Sequence, residues 1–225
     1  MSDRIRAALE QRIIDGTLQP GERLLELNIA KEFDTSQTPV REAFRELESV
    51  RLVESVPYRG TRVRAVSDRE MLEAYDVRGA LEQLAAQLAA AAFAGNVAEL
   101  RTILAELHAA GRAEDGPAYS KANSEFHRAI VRRSGNQVLF DAWNALGFEV
   151  RVRILLARHR RWNLQAHAAE HDPIVDALEI GDGLRAGRLL LEHAENCKRR
   201  WCELAREDAL ETADAVESAP AGCLS

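Results

Sequence analysis

The sequence lacks cysteine pairs, long apolar runs and an excess of basic charge. Three cysteines occur in 225 residues, and Cys197, Cys202 and Cys223 form no Cys-x-x-Cys pair, which argues against a disulfide framework and suits a reducing cytosol. No run approaches the roughly 20 apolar residues that a membrane-spanning helix needs. The N-terminal residues 1–4 do not lead into the apolar core that a signal peptide has. We therefore expect a cytoplasmic protein with no membrane partner.

The third missing feature is an excess of basic charge. The net charge is −6, so the protein as a whole is not built to bind a polyanion. Residues 1–66 carry 11 basic and 11 acidic side chains, and the acidic excess lies in the remainder. Residues 36–66 contain six arginines and four glutamates. Any surface for nucleic acid must therefore be local and lie near the N-terminal end.

Residues 36–47 predict an amphipathic helix. Pro39 suits the first helical turn, and Ser36 and Thr38 can accept hydrogen bonds from the free N–H groups there. The apolar positions recur at helical spacing and predict a core stripe: Val40, Ala43, Phe44, Leu47 and Val50. Arg41 and Arg45 project from another face. Such arginines can bind a phosphate or a guanine edge, or merely pair with neighbouring glutamates.

The flanking residues place this helix in a winged helix-turn-helix domain. A first helix stops at Gly16, Pro20 and Gly21 predict a type II turn, and a second helix covers residues 26–33. Strands are predicted at 52–56 and 61–66, with residues 57–60 as the hairpin tip. Three helices followed by a basic hairpin predict that the third helix enters the major groove while the wing lies on the adjacent backbone.

The rest of the chain predicts an all-helical bundle, so the fold class is mainly α. Ser67 and Glu70 form a capping box at its start. We assign residues 1–66 to the winged helix-turn-helix domain and 67–208 to a bundle of about six helices. Residues 209–225 are predicted to be a disordered tail. The expected helices of the bundle are 68–93, 96–111, 117–134, 137–159, 163–180 and 183–206.

Motifs along nearly the whole chain resemble a GntR-family transcription regulator of the FadR-like group with an FCD ligand-binding domain. They are residues 16–24, 36–43, 59–60, 78–82, 126–127, 134–136, 170–171, 181–182 and His193. The resemblance implies a homodimer that binds a pseudo-palindromic operator in double-stranded DNA and responds to a small metabolite. It also implies a divalent metal in the helical domain.

The resemblance also indicates which residues contact DNA. They are Ser36, Gln37, Thr38, Arg41, Arg45, Arg59 and Gly60. Gln37 stands where the family usually has arginine. This departure changes the expected operator sequence rather than the docking mode, because a glutamine amide can still read adenine.

Asn123, His127, His171 and His193 are the candidate metal ligands. Asn123 and His127 lie four apart and so share one helix face, whereas the other two histidines lie on later helices. Three imidazoles and one oxygen suit Zn²⁺, Ni²⁺, Co²⁺ or Mn²⁺ better than Mg²⁺. Alternatively, each histidine is an ordinary surface or core residue. Many relatives carry a carboxylate where this chain has Asn123, so the metal would keep more positive charge.

Arg78 is the candidate effector-binding residue, together with Asn123. An arginine in this Ala/Leu-rich helix could clamp a carboxylate bidentately, or could simply pair with Glu73 or Glu82. Arg78 and the metal together predict a small carboxylate effector, such as a sugar acid, a hydroxy acid or a dicarboxylate.

Two other functions compete with a metabolite-responsive regulator. His167, Glu170 and His171 match the His-x-x-Glu-His motif of a metal-dependent hydrolase, in which the glutamate activates water. The second competing function is that of a dimeric DNA-binding module that responds to no effector. The N-terminal 66 residues, which an enzyme does not need, favour a regulator that is not an enzyme.

Overall fold

The structure, a computed structural model, describes residues 1–14, 16–56, 59–64, 67–148, 151–152 and 162–217, the last ten by their backbone only. It is mainly helical, as predicted. The N-terminal part contains α1 (Ser2–Ile14), β1 (Arg23–Leu24), α2 (Glu26–Glu32), α3 (Gln37–Ser49), β2 (Val53–Val56) and β3 (Gly60–Val63). The following part contains α4 (Asp68–Phe93), α5 (Ala98–Arg112), α6 (Gly116–Arg133), α7 (Gln137–Ala145), α8 (Leu164–Ala169), α9 (Asp172–Glu179) and α10 (Gly183–Glu217).

The three N-terminal helices pack around one small core. Ile5, Leu9 and Ile13 of α1 are buried at the predicted spacing. The turn after α1 also has the predicted form, because Glu22 N–H donates to Gln19 O and Gly21 has φ = +84°. The chain thus reverses and brings α3 against α1.

Helix α3 shows the predicted amphipathic pattern, with two differences at its ends. Its predicted core stripe is buried up to Leu47, but Val50 is the C-terminal cap and is 36% exposed. Ser36 is the N-cap by backbone geometry, yet its side chain makes no capping hydrogen bond. Spacing alone predicted both roles, but Val50 lies where the helix ends and Ser36 is exposed to solvent.

The sheet has three antiparallel strands in the order β1–β3–β2. Val53 pairs with Val63 and Val56 with Gly60, which forms the predicted hairpin. Strand β1 was not predicted, because two residues are too few for an alternating pattern. It pairs Arg23 with Arg62 and so attaches the wing to the helical core. Of the predicted hairpin tip, Pro57 and Tyr58 lie outside the described residues.

Side-chain caps mark the start of four helices of the second domain. Ser67 Oγ accepts from Glu70 N–H at 3.2 Å, which is one of the two hydrogen bonds of the predicted capping box. The Glu70 carboxylate accepts from Arg64 and Arg151. Asp115, Asn136 and Asn163 accept as Ser67 does, at the starts of α6, α7 and α8. Among the described helices, none has the length and apolar character to cross a bilayer.

Three predicted helix boundaries are wrong. The helix expected at 137–159 is interrupted after Ala145, and Gly147 has φ = +61°, which a right-handed helix does not accommodate. Phe148, Arg151 and Val152 are helical again, whereas residues 149–150 and 153–159 lie outside the described residues. The helix expected at 163–180 is split, because Pro173 has no N–H to donate to the carbonyl of Ala169. Helix α10 continues to Glu217 through the first part of the predicted disordered tail, since its Ala, Leu and Glu residues favour helix. Residues 218–225 lie outside the described residues.

Helices α4 and α10 form the main contact of the second domain, and small residues let them approach closely. A Cβ added at Gly187 would lie 2.8 Å from Gln83 O, and one added at Gly183 would lie 2.8 Å from Ala90 Cβ. Because the clash at Gly187 is with backbone, no rotamer change can relieve it. This packing places His193 and Cys197 of α10 beside α4.

We expect Gly187→Ala to destabilise the protein by about 1 kcal/mol or more. Alanine favours a helix over glycine by up to ~1 kcal/mol, but overpacking a tight interface costs ~1–3 kcal/mol. Chemical denaturation measures the difference. Arg188→Ala, on the exposed face of the same helix, is the control and should stay within about 0.5 kcal/mol of the wild type. A stabilised Gly187→Ala protein would contradict the close helix contact.

Candidate DNA-binding surface and metal centre

The exposed face of α3 presents the polar side chains that were predicted to contact DNA. Arg41 is 59% exposed, its Nε donates to Glu26 Oε2 at 2.7 Å, and one terminal nitrogen donates to Gln37 Oε1 at 3.2 Å. Arg45 is exposed on the same helix. Ser36 and Thr38, also exposed, lie at its N-terminus. The helix therefore directs arginine, glutamine and hydroxyl groups to solvent while its other face is buried.

The wing adds a second basic element. Arg59 and Gly60 are exposed, and Gly60 has φ = +81°, a conformation that favours glycine. Arg23 of β1 lies across this position, with its Nε 3.6 Å from where a Cβ of Gly60 would be. Arg23 was not predicted as a DNA contact, because only the β1–β3 pairing brings it to the wing.

Four histidines from three helical segments and one helix junction meet in the core of the second domain. They are His127 on α6, His167 on α8, His171 at the α8–α9 junction and His193 on α10, and all are buried. Their rings are in contact, with centroids of His171 and His193 4.5 Å apart and those of His167 and His193 4.7 Å apart. The structure thus brings together the three predicted histidine ligands and adds His167.

In each of these rings Nδ1 lies beside an oxygen. The partner is Glu82 Oε2 for His127 (3.0 Å), Tyr119 Oη for His167 (2.5 Å), backbone carbonyls for His171 (3.1 and 3.2 Å) and Glu170 Oε2 for His193 (3.0 Å). A carboxylate or a carbonyl only accepts, so Nδ1 carries the proton in His171 and His193. His127 Nδ1 and Glu82 Oε2 lie within ion-pair distance but outside hydrogen-bond geometry, and the nearby carboxylate favours a proton on that nitrogen as well. Their Nε2 lone pairs are then free to bind a cation.

The Nε2 atoms fit a metal ion. His127 Nε2 and His171 Nε2 are 3.3 Å apart, and two neutral lone pairs at that distance repel each other. About the same separation is expected between two nitrogens that bind one tetrahedral zinc. The ligand atoms of His127, His171 and His193 lie within 4.8 Å of one another, and so do those of His167, His193 and Cys197. Asn123 Oδ1 is buried and has no hydrogen-bond partner among the described residues.

Burial keeps these imidazoles neutral, as metal ligands must be. It lowers the pKa of His171 to about 3, with the nearby His127 ring adding to the effect. Burial also lowers the pKa of His127, and it lowers the pKa values of His167 and His193 well below the usual range. At neutral pH all four rings therefore offer a lone pair rather than a positive charge.

Arg78 is buried beside this centre and is paired with Glu82. Its Nε donates to Glu82 Oε1 at 2.7 Å, and its guanidinium lies 4.6 Å from the centre of the Phe148 ring. The predicted alternative pairing with Glu82 therefore occurs, whereas Glu73 pairs with Arg69. Burial alone would raise the pKa of the Glu82 carboxyl, but Arg78 and His127 outweigh it and hold that pKa well below its usual range.

A small cavity lies next to the histidines. Its volume is about 10 Å³, roughly the size of one water molecule. It is lined by Tyr75, Arg78, Tyr119, Asn123, Val152, Trp162, His167 and Cys197. The cavity therefore joins both predicted effector-binding residues to the histidine centre.

Two domain families match the chain. Residues 1–63 match the bacterial regulatory proteins of the gntR family, and residues 73–196 match the FCD domain. The chain is a GntR-family transcription regulator.

This regulator is similar to other members over most of its length. It is 39% identical to a probable D-xylose utilization operon transcriptional repressor of Paenarthrobacter nicotinovorans, over 86% of this chain and 85% of the relative. It is 28% identical to the galactonate operon transcriptional repressor of Escherichia coli K12, over 90% of this chain and 97% of the relative. A GntR regulator structure from Rhodococcus sp. RHA1 superimposes with a TM-score of 0.70 at 25% identity, covering 90% of this chain and 97% of that one. These relatives are regulators, not enzymes.

The hydrolase motif has another role in this regulator. Glu170, the residue expected to activate water, pairs with Arg200 at 2.6 Å and lies 3.0 Å from His193 Nδ1. Glu170 therefore holds the His193 ring in place.

Sequence reasoning missed three residues of the centre. Glu82 and Tyr119 hold imidazole rings, and Cys197 Sγ lies 3.0 Å from His167 Nε2. Cys197 follows His193 by four residues on one helix, so spacing could have placed both on one face. No local pattern indicates Tyr119, because 48 residues separate it from His167.

We expect the metal-free regulator to lose stability as the pH falls from about 7 to about 5. The pKa values of the buried histidines are lowered in the folded state, so below about pH 6.5 only the unfolded chain takes up protons. Each such histidine contributes a slope of about 1.4 kcal/mol per pH unit. Denaturation of chelator-treated protein at several pH values measures this slope.

His171→Gln is the matched variant for this pH series. It removes one of the buried imidazoles, so the stability of the variant should depend less steeply on pH than that of the wild type. Equal slopes in the two proteins would mean that His171 is protonated similarly in the folded and unfolded states.

Proposed function

We propose that this regulator is a homodimeric, metabolite-responsive repressor in the cytoplasm, and that a small carboxylate effector binds beside a divalent metal ion and changes its affinity for the operator. The observation that supports this most directly is the shared cavity. Arg78 and Asn123 line it, and the buried histidines with free Nε2 atoms lie next to it. An arginine and a metal ion are both suited to binding a carboxylate.

The ion in this proposal is a divalent transition metal, Zn²⁺, Ni²⁺, Co²⁺ or Mn²⁺. Asn123, His127, His171 and His193 are its candidate ligands. The unpaired Oδ1 of Asn123 supports this set, because a buried acceptor without a partner costs free energy that a cation would recover. When bound, the ion supplies positive charge to an anionic effector.

The effector class is supported by the names of the relatives. Those named for D-xylose and galactonate operons, and a gluconate operon repressor of Bacillus licheniformis that is 29% identical, act in sugar and sugar-acid utilization. A sugar acid combines a carboxylate for Arg78 with hydroxyl groups. The present cavity holds about one water, so the effector must enlarge it.

The enlarged cavity can affect the DNA-binding domain through one ion-pair network. Glu70 at the start of α4 accepts from Arg64, which follows β3, at 2.5 Å and from Arg151 at 2.6 Å. Arg151 is adjacent to Val152, which lines the cavity. Movement of Val152 would therefore disturb a contact between the wing and the helical domain, which supports coupling between effector and operator.

The proposed docking places α3 in the major groove and the wing on the neighbouring phosphates. The proposed contacts are Ser36, Gln37, Thr38, Arg41, Arg45, Arg59 and Gly60. A homodimer presents two such surfaces to a pseudo-palindromic operator. Val77, Leu84 and Leu88 are exposed along one side of α4, so this side is the proposed contact with a second copy.

Arg41→Ala should weaken operator binding by roughly 1–3 kcal/mol, because Arg41 reads a base edge in the proposed docking. Arg59→Ala should weaken binding to all DNA sequences alike and reduce the slope of log K against log salt by about 1. Binding titrations with operator and unrelated duplexes at several salt concentrations measure both effects.

Arg101→Ala is the control for these two variants. Arg101 is an exposed, ion-paired arginine of α5, so its loss removes a similar charge far from the proposed DNA surface. Unchanged DNA binding by both Arg41→Ala and Arg59→Ala would contradict the proposed docking.

Arg78→Lys should reduce the response to the effector without abolishing DNA binding. Lysine keeps the positive charge beside Glu82, whereas alanine would leave a buried carboxylate unpaired at a cost of about 3–5 kcal/mol. Lysine has no planar fork for a bidentate carboxylate. We expect more than about tenfold more sugar acid to be needed for operator release, a loss of ~1.4 kcal/mol.

The effect of Arg78→Lys is measured by comparing the variant with the wild type in a thermal-shift series. The series uses gluconate, galactonate and xylonate, with and without added zinc. An effector at 100 times its dissociation constant adds about 2.7 kcal/mol of apparent stability. An unaltered response of Arg78→Lys would remove Arg78 from the effector site. No shift in the wild type with any acid would instead support a DNA-binding module without an effector.

A further inference from the structure

Cys197 belongs to a second group of potential ligands within the histidine centre. It is 2% exposed, and its Sγ lies 3.0 Å from His167 Nε2 and 3.9 Å from His193 Nε2. For a tetrahedral zinc, bond lengths of about 2.3 Å to sulfur and 2.0 Å to nitrogen give S···N separations of about 3.5 Å. The two observed distances lie on either side of this value.

His193 belongs to both groups, so the groups compete for one ion. Glu170 holds Nδ1 of His193, which leaves a single lone pair on Nε2. That lone pair can bind an ion together with His127 and His171, or together with His167 and Cys197, but not both. One ion per chain is therefore expected, and the chemistry of the remaining ligands decides where it binds.

Charge favours the group that contains the cysteine. Asn123, His127, His171 and His193 are all neutral, so a divalent ion bound by them keeps both of its charges in a buried place. A thiolate at Cys197 would cancel one of them directly. Because an uncompensated charge is costly to bury, the anionic ligand stabilises the bound ion.

The position of the cavity also favours binding of the ion by the group that contains the cysteine. His167 and Cys197 line it together with Arg78 and Asn123. An ion held by three protein ligands keeps a fourth position open, as in catalytic and sensing zinc sites. Because His167 and Cys197 line the cavity, a carboxylate oxygen bound in the cavity would be near an ion that these residues hold.

We propose that Cys197 is a metal ligand in this regulator and that one divalent ion binds to Cys197 Sγ, His193 Nε2 and His167 Nε2. This inference rests on the proposed metal in the pocket and names a different set of ligands for it. On binding, the Cys197 S–H loses its proton to solvent and a metal–sulfur bond forms. For Nε2 of His167 to bind the ion, its proton must lie on Nδ1, where it can donate to Tyr119 Oη.

The thiolate makes this site selective among metals. Sulfur and imidazole ligands favour zinc and cobalt over manganese and magnesium, which prefer oxygen. Bound metal should therefore be zinc-like, and the full-length protein should discriminate against manganese in competition.

The test uses Co²⁺ added to the full-length, freshly reduced protein after removal of small thiols. A cobalt–thiolate bond produces a charge-transfer band in the near ultraviolet, which imidazole and amide ligands do not. We expect this band in the wild type at one cobalt per chain. Cys197→Ser should lose the band, and Cys197→Ser and His167→Ala should each bind zinc at least about tenfold more weakly.

Cys202→Ser is the matched control, since Cys202 lies on the same helix at a partly exposed position, and it should keep the band. Circular dichroism checks that each variant folds, and the wild-type spectrum is informative without any variant. Stoichiometric cobalt without the band would overturn the assignment of Cys197 but leave a metal at His127, His171 and His193. No stoichiometric cobalt or zinc would remove the metal from both proposals.

Discussion

The carboxylate of Glu82 connects the helices that form the centre of the second domain. It is 1% exposed, accepts from Arg78 Nε and Trp143 Nε1, and lies 3.0 Å from His127 Nδ1. These partners come from α4, α6 and α7. Because an unpaired buried carboxylate costs several kcal/mol, the three helices must keep the positions that satisfy it. The same contacts that stabilise the core therefore also orient a histidine and an arginine of the candidate site.

If a carboxylate effector binds beside Arg78 as proposed, this arrangement limits how it can act. Arg78 is already paired with the carboxylate of Glu82. An incoming carboxylate must therefore compete with Glu82 for the guanidinium or share it with Glu82. The cavity beside Arg78 is small, and Val152 in its wall is next to Arg151, which contacts Glu70. An effector that enlarges the cavity must therefore alter packing close to a contact with the wing. Coupling between two sites needs such an element with two arrangements.

The two departures of this chain from its family act in different places. Gln37 lies on the exposed face of α3, hydrogen-bonded to Arg41, so it changes the surface offered to DNA without affecting the core. Asn123 lies in the buried centre, where the resemblance implies a carboxylate. If a metal ion binds there as proposed, the neutral amide leaves more positive charge on the ion, and the proposed thiolate of Cys197 would offset that charge.

Much of the architecture follows from the sequence alone. Periodic apolar residues and capping residues determine the three N-terminal helices, the hairpin and the starts of α4, α6 and α7, because these features depend on neighbours within a few residues. Spacing and resemblance also predicted that Asn123, His127, His171, His193 and Arg78 belong to one site, and the structure places them in one buried region. Helix ends at Ala145 and Glu217, and the break before Pro173, were less accessible, since boundaries depend on single residues and on packing.

Only the tertiary structure decided which groups face one another. Strand β1, the position of Arg23 at the wing, and the contacts of Tyr119 and Cys197 with His167 all join residues distant in the chain. Local patterns determine which face of a helix is apolar, but not which atoms of another helix meet it. These contacts between helices depend on close packing and on the need of each buried polar group for a hydrogen-bond partner. Both are properties of the whole folded chain.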